Sequence, residues 1–182
     1  MISPVFTHIE LTEPGGGIIF LVRKSLKFTS IQDLCGSTTD NLKTGVIRIH
    51  NLNPTLNLIA CYRVPGRSVS EIEWNQFFSS LNMHDPSLIF GDINSHHTSW
   101  NCSNIDTNGI KLNSISDSDL ILVNHNTLTH IDFNWNSLSN MDLVLCSPAI
   151  YDLIKFNILE DSSWSDHFPI TVNLLIDKTL YI

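Results

Sequence analysis

Residues 88–100 read "LIFGDINSHHTSW". An apolar run, Leu88, Ile89 and Phe90, ends at Gly91, and Asp92, Asn94, His96 and His97 follow with almost no spacing. A short continuous apolar run fits a strand buried on both faces. Polar side chains crowded at its end cannot belong to the core, and loops on a rigid sheet are where chemistry is usually placed. The stretch predicts a buried strand that stops at Gly91 and hands over to a functional loop.

Other segments fill in around it. Three turn-forming glycines, Gly15, Gly16 and Gly17, introduce "GIIFLVRK" (17–24), which reads as a strand. "GVIRIH" (45–50) alternates like a half-buried strand, and "LNLIACYR" (56–63) reads as another after Pro54. "SVSEIEWNQFFSSL" (68–81) is helical. Ser70 and Glu73 fit a capping box, and Ile72, Trp74, Phe77 and Leu81 are expected on its buried face. "NGIKLNSISDS" (108–118) reads as a shorter helix, and "LILVN" (120–124), "MDLVLC" (141–146) and "PITVNLLI" (169–176) as strands. Strands outnumber helices without strict alternation, which predicts an α+β architecture of two packed sheets with helices outside.

The chain has 182 residues, 42% apolar and 15% charged, as expected of a folded globular protein rather than a disordered one. No apolar run approaches the roughly eighteen residues of a membrane span, so no membrane partner is expected. Cys35, Cys61, Cys102 and Cys146 lack paired spacing, which favours free thiols in a reducing intracellular setting. The net charge of −8 argues against holding nucleic acid by bulk electrostatics. Arg23, Lys24 and Lys27 form one basic group, and Arg63 and Arg67 another. An acidic chain can still act on phosphates if a divalent cation supplies local positive charge.

Several strand ends carry chemistry. Asp92 and Asn94 follow one strand, Asp142 opens another, Ser165, Asp166 and His167 precede a third, and Tyr62 closes "LNLIACY". Taken singly, each has a plain structural use as a turn former, surface group or half-buried strand residue. Together they would converge on one edge of a sandwich. His96 and His97 do not make a zinc pair, since adjacent side chains diverge and no partner set has zinc spacing.

In this order, "GDIN", "MDLVL" and "SDHFPI" resemble the C-terminal motifs of the exonuclease–endonuclease–phosphatase superfamily. "GGGIIFLVRKSL", "CYRVPG", "GDINSHHTSWNC", "DTNGIKL" and "SDHFPITV" are similar to the apurinic-endonuclease-like domain of non-LTR retrotransposons, from about residue 15 to about residue 175. The resemblance implies a four-layer α/β/β/α sandwich of the DNase-I-like type. It implies a Mg²⁺- or Mn²⁺-dependent endonuclease that nicks DNA, works with a C-terminal reverse transcriptase domain and acts in the nucleus. Asp92 would handle a proton of the water or leaving oxygen, and Asn94 would hold the phosphate. Asp142 would orient His167 toward the scissile phosphate, Asp166 would place the metal, and Tyr62 would touch the phosphate. Thr129 resembles a DNA-contacting threonine, and Ser165 would lie at the substrate.

The family's domain begins with two further strands, the second carrying a metal-binding glutamate in a "QET"-like setting. Neither motif is found in this sequence, and Glu10 and Glu13 read as surface residues. The expectation is one domain over 1–182, lacking its first strands and one metal ligand, with open sheet edges and uncovered apolar faces. Two other readings remain: a superfamily phosphoesterase acting on an inositol phosphate, a sphingolipid or an RNA tail, and a catalytically dead remnant that only binds nucleic acid.

Overall fold

The computed structural model describes residues 6–13, 16–31, 39–81, 85–115, 120–162 and 164–178, with backbone alone for 6–13, Gly16, Ile115, Asp177 and Lys178. Cys35, Gly15 and the end of the helix expected to reach residue 118 fall outside these residues, as do the side chains of Glu10 and Glu13.

In chain order the strands are β1 (Phe6–Glu13), β2 (Gly16–Arg23), β3 (Phe28–Ser30), β4 (Leu42–Ile49), β5 (Leu52–Asn53) and β6 (Leu56–Arg63). Helix α1 (Glu71–Ser80) precedes β7 (Ser87–Asp92), and helix α2 (Thr107–Ile115) precedes β8 (Ile121–Leu122). Then come β9 (His130–Asp132), β10 (Ser137–Ser139), β11 (Asp142–Cys146), β12 (Ile154–Ile158), β13 (Ile170–Leu174) and β14 (Asp177–Lys178).

A six-stranded sheet, β3-β4-β6-β7-β11-β8, forms the spine. Its one parallel pair is β6–β7, where the intervening α1 supplies the crossover that a parallel pair needs. Side chains alternate between its faces. Ile59, Cys61, Ile89, Leu143 and Leu145 pack under Trp74, Phe77 and Leu112 of the two helices. On the other face, Ile47, Ile49 and Ala60 meet Ile18, Phe20 and Val22 of β2. Farther along that face, Leu88 and Val144 meet Ile170, Val172 and Leu174 of β13. The result is the expected α+β sandwich, and both described α-helices lie against the spine. The second β layer is interrupted. β1–β2 and β12–β13 are separate two-stranded sheets, and a groove of about 520 Å³ lies between them, lined by Leu26, Ile49, Leu58, Phe90, Val172 and Leu174 among others.

Three local readings change on contact with the fold. Helix α1 has its capping box, with Ser70 Oγ accepting from Glu73 N at 3.1 Å and Glu73 accepting from Ser70 N at 2.7 Å. Its buried stripe is Trp74, Phe77, Phe78 and Leu81, the i, i+3, i+4, i+7 pattern, whereas Ile72 is 69% exposed. Ile72 lies two residues, about 200°, from Trp74 and so on the opposite side of the helix. The strand of residues 87–90 runs on through Asp92, because Gly91 is no turn: a Cβ there would lie 1.8 Å from the Cys61 carbonyl oxygen. Strand β8 is only two residues long, since the Asn124 side chain takes the next rung by accepting from Val144 N at 2.9 Å.

Cys61, Cys102 and Cys146 are buried free thiols. No described helix is long and apolar enough to cross a membrane.

Candidate active site

Strands β7 and β11 are antiparallel with Asp92 directly opposite Asp142. Like charges in that position oppose each other. The Asp92 carboxyl is pushed up to about 6, chiefly by burial and next by Asp142. His167 answers both. Its Nδ1 lies 2.8 Å from Asp142 Oδ2 and its Nε2 lies 4.0 Å from Asp92 Oδ2. The Asp142 hydrogen bond is the main reason that the imidazole holds its proton above the ordinary histidine range. Three groups separated by up to 75 positions in the chain thus share one rim.

Each is braced by polar side chains of the interior. Thr129 is fully buried, and its hydroxyl oxygen accepts from Met141 N at 3.0 Å and Asp142 N at 2.9 Å. In this position the Thr129 hydroxyl fixes the start of β11. Asn124 donates to the Asp142 carbonyl at 2.7 Å and to Asn140 Oδ1 at 3.1 Å, both asparagines being buried. Ser165 is exposed, and its hydroxyl accepts from His167 N at 3.0 Å, which pins the turn before the histidine.

Asn94 has a left-handed backbone, φ 49°. Its backbone N–H donates to Asp92 Oδ1 at 3.1 Å, and its carboxamide donates to Asp92 Oδ2 at 2.7 Å and to the Arg63 carbonyl at 3.1 Å. Both carboxamide protons are used within the protein here, so Asn94 orients Asp92. Buried Arg63 holds this loop from beneath, donating to Ile93 O at 2.7 Å and to the carbonyls of Asn94 and Arg67. Tyr62 is half-buried, and its hydroxyl is kept protonated beyond the ordinary range by burial and by Asp92. Asp166 is exposed and turns toward His130, 3.8 Å from its Nε2.

The histidines of the opening stretch serve the scaffold. His96 pairs with Asp106 at 3.2 Å, and His97 accepts from Ser99 N at 3.1 Å. Asp106 also accepts from Gly109 N at 2.6 Å in the first turn of α2, where a Cβ on Gly109 would meet the His96 carbonyl at 1.9 Å. "DTNG" is thus a cap and a close packing joint. Arg63, Asn124, Asn140 and His130 were not singled out for the site from sequence. The only cue was asparagine beside the motif in "SNMD".

The sequence model of the endonuclease-reverse transcriptase family matches residues 56–171. No curated protein matches the chain. Among solved structures, the endonuclease domain of TRAS1, a telomere-specific non-LTR retrotransposon, superposes with a TM-score of 0.76 at 19% identity, over 93% of this chain and 80% of that one. The Xenopus laevis APE2 catalytic domain gives 0.65 at 12% identity, over 100% and 79%. An AP endonuclease from Archaeoglobus fulgidus gives 0.62 at 12%, over 93% and 79%. At such identities the structural likeness establishes the fold.

Proposed function

Because the chain belongs to the endonuclease-reverse transcriptase family, we propose that the rim of Asp92, Asp142 and His167 hydrolyses phosphodiester bonds in DNA. The observation that carries this reading is the His167 ring, gripped by Asp142 at 2.8 Å and facing Asp92 at 4.0 Å. We read residues 1–182 as one domain, a nicking unit working beside a reverse transcriptase on chromosomal DNA in the nucleus.

Hydrolysis needs an acceptor for the water proton, positive charge beside the phosphoryl oxygens, and help for the departing oxygen. Asp92, with a carboxyl near 6, is ionised at neutral pH yet basic enough to take that proton. Asp142 holds the Nδ1 side of His167, so Nε2 is the edge turned to the phosphate, and the favoured imidazolium puts its charge there. Tyr62, with its hydroxyl proton retained, can donate to a phosphoryl oxygen.

A divalent cation such as Mg²⁺ or Mn²⁺, when bound, supplies charge neutralisation at the leaving oxygen. The donor set fits a hard cation, since carboxylates crowd one rim and burial has left Asp92 short of solvation. Asp92 and Asp142 form one candidate cation cluster with His167, and Asp166 lies in a second cluster that shares His167, so these three carboxylates would hold it. Exposed Phe133, Trp135 and Trp164 give flat apolar faces on which bases can stack, a contact that survives a net charge of −8.

Conversion of supercoiled plasmid to open circles by purified protein in Mg²⁺ tests the reading. Nicking that is chelator-sensitive and disappears in Asp92→Ala and His167→Ala supports it. Nicking that persists in both variants sinks it.

A further inference from the structure

Across from His167 lies a residue with no place in the proposed hydrolysis. His130 and His167 form an isolated antiparallel bridge, framed by hydrogen bonds from Ile131 N to Asp166 O at 2.8 Å and from Phe168 N to Thr129 O at 2.7 Å. Directly opposed residues of such a pair point to the same side. The imidazole centroids are 4.8 Å apart with planes at 64°. Two histidines therefore stand face to edge at the protein surface, with the exposed Asp166 beside them.

Each ring has one nitrogen occupied and one uncommitted. His167 Nδ1 is at Asp142 Oδ2, 2.8 Å, and His130 Nδ1 is at Ser139 Oγ, 3.3 Å. Nε2 of His130 is 3.8 Å from Asp166 and Nε2 of His167 is 4.0 Å from Asp92, both beyond hydrogen-bond reach. A carboxylate holding the far nitrogen of an imidazole, as Asp142 holds that of His167, is the arrangement that orients a histidine ligand and raises its basicity. His130, His167 and Asp166 each offer a ligand atom within 4.8 Å of the others. Asp166 is free to swing, its side chain being 59% exposed.

We propose that His130, His167 and Asp166 bind a nitrogen-preferring divalent cation of the Zn²⁺ class, and that its occupation withdraws His167 from the phosphate. Two imidazoles and a carboxylate with a fourth, open position suit Zn²⁺ at about 2.0–2.1 Å, whereas Mg²⁺ prefers oxygens throughout. Coordination releases the Nε2 proton of His167 to solvent and uses the lone pair left behind, on the same edge that the hydrolysis needs. The second half of the proposal rests on the proposed function; the binding itself does not.

The metal-stripped full chain, titrated with Co²⁺ as a spectroscopic substitute, tests the site. The expected result is the intense visible absorption of four-coordinate cobalt, bleached by Zn²⁺ and unchanged by a large excess of Mg²⁺. His130→Phe and His130→Asn, both checked for folding by near-ultraviolet circular dichroism, should weaken binding at least about ten-fold, and Asp92→Asn should bind as the parent does. Absence of the band overturns the site, as does a band retained by the His130 variants and lost in Asp92→Asn. In the plasmid assay, Zn²⁺ should inhibit the parent and spare the His130 variants. Equal inhibition of both overturns the withdrawal of His167. A parent that never nicks defeats the proposed function instead, and the cobalt titration still decides the site.

Discussion

Arg63 and Asn94 clasp each other through their main chains: the Arg63 guanidinium donates to the Asn94 carbonyl, and the Asn94 carboxamide donates to the Arg63 carbonyl. The clasp joins the end of β6 to the loop after β7 and holds a left-handed asparagine against Asp92. Arg63→Met would leave several buried carbonyl oxygens without donors, at about 1–3 kcal/mol each if unrelieved by water. Arg63→Lys restores one contact in place of a fork. The lysine variant should fold and lose turnover about ten-fold with KM nearly unchanged, while the methionine variant should melt well below the parent. Nicking kinetics and thermal unfolding measure the two effects separately.

The Asp142–His167 pair predicts a large and shared loss. Each positioned acid–base group contributes about 10²–10⁴ in rate. Asp142→Asn, which keeps the shape and removes the charge gripping Nδ1, should fall in that range. A double variant with His167→Ala should be little worse than either single one, because the two act as a unit. Additive losses in single-turnover nicking would show that they act separately.

Asp92 sets activity against stability. Moving its carboxyl from the ordinary 3.8 to about 6 costs the ionised form on the order of 3 kcal/mol in the folded protein. The folded value is raised, so protonation stabilises the fold below the unfolded value, and that contribution is lost as pH climbs through about 6. Asp92→Asn, which stays neutral, should match the parent near pH 4 and exceed it at pH 7.5. One acceptor for Asn94 is lost at about 1 kcal/mol, leaving a net gain of about 2 kcal/mol. Urea unfolding at both pH values in chelator-containing buffer reads this directly.

Gly91 should tolerate nothing larger. A Cβ placed 1.8 Å from the Cys61 carbonyl oxygen forces β6 and β7 apart along their parallel register. Gly91→Ala is expected to destabilise by about 3 kcal/mol or more, beyond ordinary overpacking, since backbone rather than a side-chain tip must move. A melting temperature within a few degrees of the parent would contradict this.

Local signals were the legible ones. The strand of residues 56–63 was read to the residue, and Ser70 with Glu73 marked the start of α1 because capping acts over three residues. Asp92, Asp142 and His167 could be grouped from motif order, and the rim brings them together. What stayed hidden depends on distant partners. In sequence Arg63 is one of a basic group with Arg67, and only its carbonyl acceptors at residues 93 and 94 reveal it as a buried brace. Thr129 reads as an exposed hydroxyl until Asp142 N and Met141 N close on it. His130 gains its meaning from a bridge to a residue 37 positions later. Ile72 shows a different fault: one face of a ten-residue helix was assigned half a turn too wide.

The groove between the two halves of the second β layer reaches Asp142 and Gly91. Well-packed interiors barely compress, whereas loosely filled space is what unfolding eliminates under load. Ile170, Val172 and Leu174 are only half-buried along it, so each withholds part of the roughly 1.5–3 kcal/mol of full burial. Hydrostatic pressure would therefore find this molecule soft on one flank: the floor of the candidate site yields there first, while the helix-covered side of the spine, with its dense aromatic packing, stays stiff.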